Sequence, residues 1–193
     1  MNCLEQKIIQ EGLVKSKEVL KVDQFLNHQI DIQLLNDMAE LFYAKFKDCP
    51  ITKVLTIEAS GIAIATMVAY RFNVPLVFAK KSYTSNLGQD LYQAKIFSFT
   101  HQTHYDLVIS KDYLDENDHV LLIDDFLASG SALNGLLDIV NQAKANLSGI
   151  GIAIEKAFQN GGDLLREKGL PLFSLAIIES MDSQTNQIVF GKR

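Results

Sequence analysis

Residues 120–132 read VLLIDDFLASGSA: four apolar residues lead into two adjacent carboxylates, and a loop of small residues follows. The apolar run predicts a short buried strand that holds Asp124 and Asp125 at the rim of a sheet, and residues 132–144 predict the helix that comes next. Small residues let successive backbone N–H groups converge on one point, and the helix N-terminus adds its positive dipole end. The loop therefore predicts a cradle for a phosphate dianion.

The paired carboxylates narrow the choice of ligand. Two carboxylates beside a phosphate would repel it unless they bind a group that lies between them and the phosphate. A vicinal diol can hydrogen-bond to carboxylates, and a Mg²⁺ ion can bridge an acid and a phosphate. The segment therefore indicates a ribose 5-phosphate. The alternative is a strand-to-helix turn in which the acids are ordinary caps.

Short apolar strands and helices alternate on both sides of this segment. Strands are expected at 54–57, 76–79, 120–123, 149–154, 172–179 and 187–190, and helices at 2–11, after the cap Asp31, at 62–72, at 132–144 and near 163–168. Residues 96–99 and 105–109 predict an antiparallel hairpin, and the polar stretch 81–93 is expected to be irregular. The alternation predicts an α/β fold with a twisted, mostly parallel sheet flanked by helices. Ligands of such sheets bind at the carboxyl ends of the strands.

Composition excludes several classes of protein. The chain has 193 residues, 48% of them hydrophobic, and a mean hydropathy of +0.08, which is typical of one soluble globular domain. A net charge of −5 disfavours general nucleic-acid binding. No apolar run approaches the roughly 20 residues that cross a bilayer, so no membrane contact is expected. Two cysteines and no signal-peptide pattern favour a cytoplasmic location.

Segment 120–132 resembles the signature of the type I phosphoribosyltransferases, enzymes that use 5-phosphoribosyl 1-diphosphate (PRPP). It departs from that signature at Ser129 and Ala132, where many members carry threonine, but it keeps the backbone donors. Further blocks, at 20–31, 56–63, 78–81 and 155–161, extend the resemblance over nearly the whole chain.

The resemblance implies a domain organisation and a donor site. It implies a single domain over 1–193, with a core at about 37–155 and a small hood from about 1–36 and 156–193. Asp124 and Asp125 are expected to hold the ribose hydroxyls, with Asp125 also near the base. The 5′-phosphate is expected to bind the loop formed by Ala128, Ser129, Gly130, Ser131 and Ala132.

A second loop is expected to bind pyrophosphate. Ser60 and Gly61 follow one predicted strand, and Lys81 follows the next. In the family the first of these loops often contains a cis peptide bond. The alternatives are a plain helix cap and a solvated lysine. Residues 82–93 fit a loop that closes over the transition state, with simple disorder as the alternative.

The resemblance places a purine base beside Leu20, Asn27 and Lys156. Leu20 offers an apolar wall, Asn27 a donor and an acceptor, and Lys156 a charged donor for a 6-oxo group. Considered without the family, Leu20 suits the core, Asn27 a turn and Lys156 the surface. Phe158 could stack on the ring or belong to the core.

The implied activity is transfer of the phosphoribosyl group from PRPP to xanthine. Mg²⁺ is expected to be carried by PRPP, with no direct protein ligand. The expected partners are the two small-molecule substrates and a second copy of the chain in a homodimer. The alternatives are a transferase that prefers guanine or hypoxanthine, and a regulator that senses PRPP without catalysis.

Overall fold

The computed structural model describes residues 1–82, 90–98 and 103–191. Part of the stretch expected to be irregular, 83–89, lies outside the described residues. So does most of the turn expected between the hairpin strands, at 99–102.

Helices and strands alternate along most of the chain. The helices are α1 (Cys3–Glu11), α2 (Ile32–Phe46), α3 (Ser60–Phe72), α4 (Ser131–Gln142) and α5 (Gly161–Glu167). The strands are β1 (Leu13–Val14), β2 (Leu20–Lys21), β3 (Lys53–Ile57), β4 (Leu76–Ala79), β5 (Leu91–Ser98), β6 (Thr103–Ser110), β7 (His119–Leu127), β8 (Asn146–Lys156), β9 (Leu172–Asp182) and β10 (Gln187–Phe190). A π-helical turn covers Asp23–Asn27.

The central sheet has six strands in the order β10-β9-β8-β7-β3-β4. All neighbouring pairs are parallel except β9 and β10, which are antiparallel. The chain passes from β3 to β4 on one side and returns to β7 on the other side of β3, so the strand order reverses between β3 and β7. In open α/β sheets such a reversal creates a crevice at the carboxyl ends of the strands. The mostly parallel sheet flanked by helices confirms the predicted fold class.

Each face of the sheet has its own apolar core. Leu121 and Ile123 of β7 belong to a cluster with α1, α2 and α3, whereas Val120 and Leu122 belong to a cluster with α4, α5 and the β5–β6 hairpin. The division follows from the strand period of two, which sends alternate side chains to opposite faces. β7 is therefore covered on both sides, and this accounts for its unbroken apolar sequence.

Two strand predictions were too short. β7 was expected to end at Ile123 but continues to Leu127, because its backbone pairs with β8 as far as Glu155. The acids thus lie within the strand rather than beyond it. β5 begins at Leu91, inside the stretch expected to be irregular, because Leu91 pairs with Ser110 of β6. Apolar sequence marks where a strand is buried, whereas the hydrogen-bonded ladder extends further.

The terminal segments pack onto this core. Asp31 caps α2 as predicted, with its carboxylate accepting from the N–H of Leu34 at 3.1 Å. β1 and β2 form a small antiparallel pair, whereas β9 and β10 extend the central sheet. Within the described ranges, no helix combines the length and apolar character needed to cross a membrane.

Candidate active site

Two carboxylates lie side by side near the carboxyl end of β7. Asp124 and Asp125 are each 8% exposed, and the backbone N–H of Asp125 donates to Oδ1 of Asp124 at 2.9 Å. Burial and the neighbouring charge of Asp125 raise the pKa of Asp124 well above its usual range, against a smaller opposing effect of Lys81. Ligand hydroxyls or a cation would favour the ionised form of this carboxyl. The pair is therefore suited to a ligand that brings such groups.

The loop after β7 presents backbone donors. Gly130, with φ 84°, is the N-cap of α4 and has no side chain to cap the helix. The first N–H groups of a helix lack intrahelical acceptors, so they point outward with the positive end of the dipole. The hydroxyl oxygens of Ser129 and Ser131 lie 3.2 Å apart beside them. This geometry suits an anion, and we call residues 128–132 the anion cradle.

The loop after β3 touches the acid pair. A Cβ built on Gly61 would lie 2.2 Å from Oγ1 of Thr56 and 3.1 Å from Oδ1 of Asp124. Only glycine allows this approach, which places the first turn of α3 directly against Asp124. The peptide bond between Glu58 and Ala59 is cis, as the family resemblance implies.

Lys81 lies at the end of the neighbouring strand β4. Its backbone N–H donates to Oε1 of Glu58 at 2.6 Å, which ties it to the loop after β3. Its ammonium lies 5.7 Å from the ring of Tyr105 on β6, within the range of a cation–π contact. The structure brings Ser60, Gly61 and Lys81 to the same edge of the sheet as Asp124.

A cavity of about 750 Å³ connects the anion cradle with the end of β8. Its lining comprises Glu18, Val19, Tyr105, residues 126–133, Lys156 and residues 158–160. The cradle residues lie on one part of this lining, and Lys156 and Phe158 lie on another. A ligand with a phosphate and a planar group could contact both.

Lys156 is the cation of this cavity. Its ammonium donates to the backbone oxygen of Glu18 at 2.7 Å and lies 5.2 Å from the ring of Phe126. Desolvation lowers the pKa of Lys156, opposed by the charges of Glu18 and Asp125. Lys156 is therefore within electrostatic reach of the acid pair.

Leu20 and Asn27 do not line the cavity. The side chain of Leu20 is 6% exposed and belongs to the apolar core around α1, α2 and α3. Its neighbours Glu18 and Val19 line the cavity instead. Asn27 is exposed at the end of the π-helical turn. A role for Leu20 and Asn27 in binding a base stays a prediction.

Sequence reasoning missed one residue beside the cavity and one residue of its lining. Glu155 is fully buried, and its two carboxylate oxygens accept from the two terminal nitrogens of Arg166, each at 2.7 Å. Tyr105 was treated only as a hairpin residue, yet it lines the cavity. Glu155 could have been noticed, because it is a charged residue at the end of the apolar run 149–154. Tyr105 gave no such signal.

The donor set determines which metal the site can hold. In residues 1–82, 90–98 and 103–191, no cluster of three or more His, Cys, Asp or Glu side chains is arranged for a metal ion. Two carboxylates beside an anion cradle fit a Mg²⁺ ion that shares its coordination with phosphate oxygens and water.

Comparison with known proteins identifies the class. The model of the phosphoribosyl transferase domain matches residues 21–161, and the chain belongs to this family. The solved adenine phosphoribosyl transferase of Trypanosoma brucei shares the fold, with a TM-score of 0.74, 19% identity, and coverage of 90% of this chain and 79% of that one.

Two curated relatives are much more similar in sequence. The xanthine phosphoribosyltransferase of Bifidobacterium adolescentis is 54% identical over 98% of this chain and 99% of that protein. The xanthine phosphoribosyltransferase of Clostridium tetani is 51% identical over 98% of this chain and all of that protein. The chain is thus an enzyme of the glycosyltransferase type, similar throughout its length to these two.

Proposed function

We propose that this chain transfers the 5-phosphoribosyl group from PRPP to xanthine, giving xanthosine 5′-monophosphate and pyrophosphate. The observation that carries the proposal is the single cavity that joins the anion cradle, 128–132, to Lys156. One bound nucleotide would then place its phosphate in the cradle and its base beside the ammonium. The similarity to curated xanthine phosphoribosyltransferases over 98% of the chain supports this choice of base.

The donor is held by backbone and carboxylate groups. The N–H groups of residues 128–132 would bind the 5′-phosphate, and Asp124 and Asp125 would accept hydrogen bonds from the two ribose hydroxyls. Ser60, Gly61 and Lys81 would bind the pyrophosphate, since they lie at the same edge as Asp124. In this arrangement the three groups of residues would surround the ribose C1 carbon.

Catalysis in this arrangement is electrostatic. The bond from C1 to the pyrophosphate oxygen breaks, a bond from a purine nitrogen to C1 forms, and the proton of that nitrogen is released to the pyrophosphate or to water. Lys81 and the donors of the 60–61 turn stabilise the negative charge that develops on the leaving group, while the carboxylates stabilise the positive ribose. Asp124 and Asp125 are the carboxylates available to a Mg²⁺ ion carried by PRPP, which would supply further neutralisation of the pyrophosphate charge.

The base is fixed by fewer groups. The ammonium of Lys156 donates to the 6-oxo group of the purine, and Phe158 offers a ring for stacking. Leu20 and Asn27 are proposed as further base contacts, because they follow Glu18 and Val19, which line the cavity, in the same N-terminal segment.

A pyrophosphate-release assay tests the function. We expect turnover with PRPP and xanthine in the presence of Mg²⁺, weaker turnover with guanine or hypoxanthine, and little with adenine. Preference for guanine or hypoxanthine would replace the proposed substrate. PRPP binding without turnover of any purine would instead indicate a sensor.

The remaining proposals concern organisation. We propose a single domain with a core at about 37–155 and a hood from about 1–36 and 156–193. Two strands of the second hood segment, β9 and β10, belong to the central sheet. We also propose a homodimer in the cytoplasm. Cys3 and Cys49 are both free thiols, which suits a reducing compartment. Sedimentation equilibrium of the purified chain at several concentrations tests the dimer.

A further inference from the structure

The first turn of α5 lies directly against the phosphate-binding loop. A Cβ built on Gly161 would lie 2.1 Å from the carbonyl oxygen of Ala128 and 2.9 Å from the backbone nitrogen of Gly130. Both are backbone atoms, so no change of side-chain rotamer can relieve the clash. Any side chain at position 161 must therefore displace the loop or the helix.

The helix cannot move away freely, because an ion pair with the buried carboxylate of Glu155 holds it. Arg166 of α5 binds both carboxylate oxygens of Glu155, and the hydroxyl of Ser174 on β9 donates to the same carboxylate at 2.5 Å. A Cβ on Gly162 would lie 2.0 Å from Oε1 of Glu155, so the helix packs tightly on this carboxylate. Bidentate pairs of this kind fix orientation as well as distance.

Glu155 is also linked to the loop through the sheet. It pairs in register with Leu127, the residue just before the cradle. Glu155 also precedes Lys156 in β8. The position of Glu155 therefore affects both the cradle and the ammonium of Lys156.

We propose that Gly161, held by the Glu155–Arg166 pair, is a positioning residue for the PRPP-binding loop. Its missing side chain lets α5 support the loop from behind and keeps the N–H groups of residues 128–132 converged on the 5′-phosphate. This inference rests on the proposed function, because it assumes that the loop binds PRPP.

The Gly161→Ala variant tests the contact. Misplacement of a group that positions the substrate by about 1 Å can lower the reaction rate on the order of a hundredfold. Because the loop would bind PRPP, we expect this loss to appear as a rise in KM for PRPP of about ten- to a hundredfold. KM for xanthine should change much less. Calorimetry with PRPP and Mg²⁺ should show the same loss of affinity without turnover.

Matched controls separate positioning from stability. Gly149 lies at the opposite end of β8, where a Cβ would meet the ring of Phe46 at 2.5 Å. Gly149→Ala should lower the melting temperature without changing KM for PRPP. If Gly161→Ala behaves in the same way, the contact is only structural and the proposal is overturned.

Variants of Arg166 test the support independently. Arg166→Met should raise KM for PRPP, and Arg166→Lys, which keeps the charge but not the paired geometry, should have a smaller effect. Arg71→Met is the control, since Arg71, in the last turn of α3 at the end opposite to Ser60 and Gly61, forms an ion pair with Glu40. An unchanged KM in Arg166→Met overturns the role of the pair, and the Arg166 variants decide the question if Gly161→Ala does not fold.

The wild-type chain keeps the two hypotheses apart. If it shows no turnover with xanthine, the proposed function fails. If it is active while the Gly161 and Arg166 variants keep their affinity for PRPP, only the positioning role fails.

Discussion

The proposed donor side and the proposed base side of the cavity are built in different ways. On the donor side, the uninterrupted segment 124–132 supplies two carboxylates and a run of backbone donors, and only the pyrophosphate is assigned to other segments, at 60–61 and Lys81. On the base side, side chains and backbone from segments 138 residues apart meet where Lys156 contacts Glu18. A binding site made from backbone atoms of one segment can be recognised in the amino-acid sequence as a run of small residues. A site assembled from distant side chains leaves single residues that could equally belong to the core or the surface.

The largest expected effect is on the donor side, at Gly130. Its φ of 84° suits glycine, and a β-branched residue there is strained and fills the cradle. We expect Gly130→Val to abolish PRPP binding measured by calorimetry. Gly130→Ala should have a milder effect, because its Cβ would have no neighbour nearer than 3.6 Å. Full PRPP binding by a folded Gly130→Val protein would contradict the cradle.

The acid pair should come next. Loss of a charge-assisted hydrogen bond of about 1.5–3 kcal/mol corresponds to about ten- to a hundredfold in kcat/KM. We therefore expect Asp124→Asn and Asp125→Asn each to lower kcat/KM for PRPP by this factor, with thermal stability retained. If both variants keep full turnover at limiting PRPP, the ribose assignment is wrong.

A substitution at Lys156 tests the base side alone, because it should weaken the binding of the base and not the binding of PRPP. Lys156→Ala should raise KM for xanthine about tenfold or more, through loss of about 1.5–3 kcal/mol, and leave PRPP binding nearly unchanged. Lys168→Ala, at an exposed lysine beyond α5, is the control. Normal use of xanthine by Lys156→Ala would reduce Lys156 to a structural cation.

Asn27 should give a smaller effect. A neutral hydrogen bond is worth about 0.5–1.5 kcal/mol, so Asn27→Ala should raise KM for xanthine roughly two- to tenfold with little change in stability. Gln24 is exposed in the same π-helical turn, and Gln24→Ala should change neither KM. Identical kinetics in the two variants would remove Asn27 from the base site.

The smallest expected effect is on the pH dependence of stability. Because the pKa of Asp124 is raised in the folded chain, the folded state holds this proton more strongly than the unfolded state. The resulting stabilisation is complete below the ordinary carboxyl pKa and is lost as pH rises through the folded pKa. The Asp124→Asn variant has no titrating carboxyl at this position, so it should not lose this stabilisation as pH rises.

Urea unfolding checks this sign. From pH 5 to pH 8 the unfolding midpoint of the wild type should fall relative to that of Asp124→Asn, with equal m-values. A relative rise would mean that the carboxylate is stabilised in the folded chain.

Sequence sufficed for the fold and for the turn that precedes α4. The alternation of apolar strands and helices predicted the sheet, and the small residues 128–131 predicted the turn before α4. The extent of β7 was not predictable, because the pairing of Phe126 with Ile154 depends on a neighbouring strand and not on local apolarity. The same holds for β5, which is extended by its partner β6.

The support behind the site was also beyond local reasoning. Gly161 contacts Ala128 and Glu155 contacts Arg166, and no spacing in the sequence reveals either contact. Leu20 shows the opposite problem: its apolar side chain fits either a base contact or a core, and its burial among the helices is a tertiary property.

The hydrogen bond from Lys156 to the carbonyl of Glu18 has a consequence for affinity. An ammonium has three donors, and among the described residues this carbonyl accepts from one of them. The side chain is already oriented before a purine arrives, so binding does not have to immobilise a long flexible chain, an ordering that typically costs about 0.5–1.5 kcal/mol. The arriving oxygen then adds a second acceptor to an ammonium that already bridges the N-terminal segment and β8, so purine binding should also tighten the attachment of that segment to the rest of the protein.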